Sequence, residues 1–100
     1  MKNNSVQKKH IYDQAISQYG ISAQVDMLIE EMAELMMALL HDRRGRETNI
    51  PEEIADVQIM LEQIIQFFGI ENAVKEQKDR KIMRLSERLN MKELQKTIPE

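Results

Sequence analysis

Apolar residues recur along this chain at helical spacing, and no stretch alternates as a strand does. The longest stripe is Val25, Leu28, Ile29, Met32, Leu35, Met36 and Leu39. It predicts a helix that Ser22 caps and that runs to about His41. Before it, Ile11, Ala15, Ile16 and Tyr19 predict a helix from about Lys8 to Tyr19, ended by Gly20. After it, the run from His41 to Thr48 reads as a polar loop. Asn49 then caps a third helix, with Pro51 in its first turn and Glu52 closing a capping box. That helix carries Ile54, Val57, Leu61, Ile64, Ile65 and Phe68 and stops at Gly69. A fourth helix, from about Glu71 to Leu89, rests on Val74, Ile82, Leu85 and Leu89. Residues 90–100 read as a loosely held tail.

The expected fold is therefore all-α. It is a single domain over 1–100, its helical part spanning about 8–89, built as a four-helix bundle of antiparallel helices with short connections. Met37 and Leu40 lie off the main stripe of the second helix, and Ile59 and Phe67 lie off that of the third. Such second apolar faces are covered by another chain, so a homodimer or homotetramer is expected.

Composition narrows the function. Net charge is −3 and no long basic block occurs, which argues against nucleic acid as a partner. There are no cysteines, so disulfides and thiolate metal sites are excluded and a reducing compartment fits. No apolar run reaches the length of a membrane span, and the first residues lack a signal-peptide core. The expectation is a cytoplasmic protein without a membrane partner. Neither His10 nor His41 has a second His four residues on, and no E-x-x-H occurs, which argues against a zinc protease or a His-containing di-iron site.

The acidic residues carry the candidate chemistry. Glu31 and Glu34 stand in E-E-M-A-E-L, and Glu53 and Asp56 in P-E-E-I-A-D-V. Each pair is spaced i, i+3, so both side chains leave one side of a helix, a turn apart. Glu31 and Glu53 fall at the edges of their apolar stripes, whereas Glu30 and Glu52 point further out. Carboxylates drawn toward a helix seam are costly unless paired or metal-bound. Two such pairs facing each other make an all-oxygen site suited to Mg²⁺. With 17 acids in the chain, pairs of this kind also arise on solvated faces. On the fourth helix Lys78 sits in the middle of the apolar stripe and Lys81 at its edge. They would balance the carboxylates or an incoming phosphate, unless Lys78 merely snorkels past its neighbours.

These motifs resemble those of the MazG-like nucleotide pyrophosphohydrolases, in the all-α NTP pyrophosphatase superfamily. That family has E-x-x-E on one helix and E-x-x-D on the next, with a variable insert between them. Glu31-Met-Ala-Glu34 and Glu53-Ile-Ala-Asp56 supply both halves, and the similarity runs from about Ile11 to Leu89. The resemblance implies a Mg²⁺-dependent enzyme, with Mn²⁺ as a substitute, that cleaves a nucleoside triphosphate to the monophosphate and pyrophosphate. It implies that Glu31, Glu34, Glu53 and Asp56 hold the metal and serve catalysis. Lys78 and Lys81 become candidates for phosphate contact, and Arg43, Arg44 and Arg46 weaker ones. Many relatives carry Trp-Gly where this chain has Tyr19-Gly20. Tyr19 would stack on a base or, as its favoured role, pack against the second helix. Two readings compete with the enzyme: a non-catalytic helical dimerisation or interaction module, and a metal-binding regulator without turnover.

Overall fold

The computed structural model describes residues 4–97, with side chains described through Met91. It consists of four helices: α1 (Asn4–Tyr19), α2 (Ile21–Arg43), α3 (Ile50–Phe68) and α4 (Glu71–Thr97). No strand occurs among the described residues. The chain falls into two compact units that divide between Gly69 and Ile70. The first holds α1, α2 and α3, and the second holds α4.

Helix ends follow from local chemistry. One residue, Gly20, separates α1 from α2, and its φ of 88° is open to glycine at little cost. Its N–H donates to the Ile16 carbonyl at 2.8 Å, and its own carbonyl accepts from the Gln24 N–H at 3.1 Å. The chain therefore turns earlier than expected. Ser22 lies inside α2, whose N-cap is Gly20 with no side-chain capping bond. At α3, Asn49 caps as expected: its side-chain oxygen accepts from the Glu52 N–H at 3.2 Å. Gly69, left-handed at φ 64°, ends that helix.

The end of α2 is a Schellman turn. The Arg46 N–H donates to the His41 carbonyl at 2.9 Å, and the Gly45 N–H to the Asp42 carbonyl at 3.0 Å. Gly45 takes the left-handed position at φ 73°. Most of the expected polar loop is thus an ordered cap.

Within the first unit α2 packs most extensively on α3, and α1 packs on both. The buried apolar residues are Tyr12, Ala38, Val57 and Met60. Gln24 and Gln63 are buried among them, and the Gln24 Nε2 donates to the Gln63 Oε1 at 2.7 Å. Polar contacts hold α1 to α3. The Tyr12 hydroxyl donates to Glu62 at 2.6 Å, and Lys8 pairs with the same oxygen at 3.3 Å. The Gln66 Nε2 donates to Asp13 at 2.7 Å and to the Lys9 carbonyl at 2.8 Å.

Which face turns inward differs from the expectation. On α1 the inner residues are Tyr12, Ala15 and Ile16, while Ile11 and Tyr19 are exposed. On α2 the inner line is Gln24, Leu28, Glu31, Leu35 and Ala38, at coiled-coil spacing. Ile29, Met32, Met36 and Leu39, which the period places on the core stripe, are exposed in the single chain. On α3, Val57, Met60 and Gln63 are buried, while Ile54, Leu61 and Phe68 are exposed.

In the second unit α4 runs past the expected stop at Leu89. Residues 90–97, read as tail, are helical, and 98–100 lie outside the described residues. Neither Gly nor Pro interrupts the sequence before Pro99, and Met, Lys, Glu, Leu and Gln all favour helix. Two i, i+4 ion pairs support the helix, Lys75–Asp79 and Glu76–Arg80, both at 3.1 Å. Each contributes a few tenths of a kcal/mol, roughly.

Candidate metal centre

Glu31 and Glu34 leave one side of α2 a turn apart, and Glu53 leaves the first turn of α3. The Asn49 cap and Pro51 fix where that turn begins. Carboxylate oxygens of Glu31, Glu34 and Glu53 lie within 4.8 Å of one another. Glu34 is exposed, whereas Glu31 and Glu53 are partly buried. One oxygen of each of these two, Glu31 Oε2 and Glu53 Oε2, is shut off from solvent and has no hydrogen-bond partner. Asp56, a turn along from Glu53, is partly buried and falls outside the three-residue set.

The cluster is electrostatically unfavourable as it stands. Burial raises the pKa of Glu31, and the charges of Glu34, Asp56 and Glu53 raise it further. Burial likewise raises Glu53, with Glu34, Asp56 and Glu52 adding to it. Asp56 therefore belongs to the same local field. Among the described residues the ion pairs are Lys8–Glu62, Lys75–Asp79 and Arg80–Glu76, and none involves the cluster. An isolated buried carboxylate oxygen costs free energy until a proton or a cation satisfies it. The donors here are all hard oxygens with neither His nor Cys among them, which fits Mg²⁺ or Mn²⁺ rather than zinc.

A shallow, open hollow of about 330 Å³ lies beside these acids, lined by Ala33, Glu34, Met37, Ala38, His41, Thr48 and Glu53. Sequence reasoning missed His41 and Thr48. The signal lay in Arg44-Gly45: a glycine after a helix end, closing a Schellman turn, turns the chain back toward α2.

Of the other sequence candidates, Lys78 and Lys81 lie on α4, in the second unit, and both are exposed. Tyr19 is 62% exposed at the end of α1, so the expected packing against α2 is not made; Tyr12 takes the buried aromatic position. Arg43, Arg44 and Arg46 are exposed on the α2 cap. No helix among the described residues is long and apolar enough to cross a membrane.

No protein-family model, no curated protein and no solved structure matches this chain.

Proposed function

We propose that this protein is a Mg²⁺-dependent nucleoside triphosphate pyrophosphohydrolase that yields a nucleoside monophosphate and pyrophosphate. The observation that carries the reading is the trio Glu31, Glu34 and Glu53 with two shielded, unpartnered oxygens. Evenly solvated surface acids would not shut off an oxygen in each of two helices. Glu31, Glu34 and Glu53 would hold the cation, with Asp56 beside them, and Mn²⁺ would substitute. The bound cation would supply charge neutralisation and Lewis-acid polarisation of the triphosphate. The protein's own part is to hold the carboxylates on two helices whose ends are fixed by Asn49 and Gly45. A carboxylate not engaged with metal would orient the attacking water and take its proton.

The same proposal includes an antiparallel α2–α3 pair and a homo-oligomer in the cytoplasm. Gln24 meets Gln63 while Glu34 meets Glu53, the order expected of antiparallel helices. The exposed apolar rows on α2 and α3 support assembly as a homodimer or homotetramer. Pyrophosphate release from each common NTP and dNTP, with and without Mg²⁺, tests the reading. Metal-dependent release of pyrophosphate with monophosphate is expected. Orthophosphate as the primary product, or no product from any substrate, overturns it.

A second reading, a non-catalytic helical interaction module, rests on the same apolar rows. It predicts self-association with no turnover of any nucleotide.

A further inference from the structure

The 330 Å³ cavity shares Glu34 and Glu53 with the acidic trio, yet the rest of its wall is different in kind. Ala33, Met37 and Ala38 make an apolar side. His41 and Thr48 add two groups that can each donate and accept hydrogen bonds. No Lys or Arg lines it. A wall with carboxylates and no cation disfavours phosphate. An apolar side with a few placed polar groups suits a flat, neutral, edge-polar ring. The hollow is open to solvent, and its volume lies at the small end of ligand sites. Met37 suits such a ring because its unbranched thioether adapts to the face of an aromatic system.

On these grounds we propose that the cavity seats the nucleoside end of the substrate, with His41 as a specificity-determining residue that reads the base edge. The inference rests on the triphosphate reading above and deepens it. Because the cavity and the trio share two carboxylates, a base seated against Met37 and His41 leaves its phosphates at the acids. The tight turn at Gly45 lies between His41 and Thr48 in the chain, and both residues line the hollow. His41 thereby becomes a base-selecting group at the end of a helix whose middle holds the acids.

The test has two arms. In the first, the full chain with ¹³C-methyl methionine and ¹³C-imidazole labels is titrated with nucleoside 5′-monophosphates in the presence of saturating Mg²⁺. Saturable shifts of the Met37 and His41 signals are expected, differing in midpoint among the bases. In the second, His41→Ala, His41→Gln and Thr48→Val are assayed on the full triphosphate panel. The ratio of kcat/KM between best and worst base should fall about tenfold in His41→Ala, chiefly through KM, and part of it should return in His41→Gln. If turnover proceeds but Met37 and His41 are unmoved by every monophosphate, or base preference survives His41→Ala, the pocket assignment is wrong and the hydrolase reading stands. If the signals shift by base but no triphosphate is cleaved, the nucleoside pocket stands and the hydrolase reading fails.

Discussion

Gln24 and Gln63 bury an amide-to-amide hydrogen bond of 2.7 Å in the seam between α2 and α3. A buried amide in an apolar seam is costly alone and tolerable in a pair. Gln63 also directs its Nε2 to the Met60 sulfur at 3.6 Å, a weak acceptor. The pair sets how the two helices register, and the carboxylates are carried on the same helices.

Truncating one partner should therefore cost more than replacing both. Gln24→Leu or Gln63→Leu alone is expected to destabilise by about 1–3 kcal/mol, since the remaining amide is left without a partner. The double change Gln24→Leu with Gln63→Leu should recover much of that loss. Urea denaturation of the four proteins of the cycle measures it, and additive losses would contradict the pairing.

The acids should oppose stability at neutral pH when no divalent cation is present. Glu31 and Glu53 have raised pKa values when folded, so the folded state binds protons more readily than the unfolded chain. Stability should fall as pH rises from the ordinary carboxylate value, 4.5, through the raised value, and stay lower above it. Glu31→Gln and Glu53→Gln should raise the metal-free Tm at pH 7 and leave it nearly unchanged at pH 3. Mg²⁺ should raise the wild-type Tm at pH 7 and have less effect on either variant. If the enzyme reading holds, each variant should lose on the order of 100-fold or more in turnover.

Tyr12 and Glu62 give the opposite dependence at acid pH. The Glu62 pKa is lowered by the Tyr12 hydroxyl and, after a partly opposing burial effect, by Lys8. Its stabilising contribution is present above the unfolded carboxylate value and lost as pH falls through the lower folded value. Burial and the Glu62 carboxylate push Tyr12 up to about 12. Its contribution is whole below pH 10 and lost as pH rises through about 12. Tyr12→Phe is expected to cost about 1 kcal/mol at pH 7. An ultraviolet titration should lose its component near 12 in that variant.

Gly45 should matter for its backbone alone. A Cβ there would meet nothing within 4 Å, yet φ is 73°. Gly45→Ala is expected to destabilise by about 1 kcal/mol, and Gly45→Asn by less, because Asn tolerates the left-handed region better. Equal stability of all three proteins in thermal melts would contradict the turn assignment.

Self-association should depend on the outer row of α2. Met36 is 62% exposed and Ile29 55%, both in line with Met32 and Leu39. Replacing Met36 by Glu should reduce the sedimenting species toward a monomer at micromolar concentration. A wild-type protein that is already monomeric there would contradict the assembly proposal.

The number of helices, the Asn49 cap and the Gly69 stop were legible in the sequence because each depends on residues within a turn or two. What was not legible depends on other parts of the chain. Periodicity finds an apolar stripe on α2 but not what covers it, so Ile29, Met32 and Met36 read as core although Gln24, Glu31 and Ala38 lie closer to the inner line. Buried polar residues such as Gln24 and Gln63 carry no periodic mark. Tyr12 and Tyr19 look alike until the Glu62 partner is in place. His41 and Thr48 come to line one hollow only after the Gly45 turn has formed.

Among the described residues, no side chain is fully enclosed, and the buried positions number few. Little in the lone chain would then slow the exchange of its amide hydrogens with deuterated water. The longest-lived protons should lie along Val57–Gln63, where three buried residues follow one another at successive turns. Those at the ends of α1 and throughout α4 should exchange early. Deuterium uptake along α2 should slow as protein concentration rises, if neighbouring chains supply the shelter that a single copy lacks.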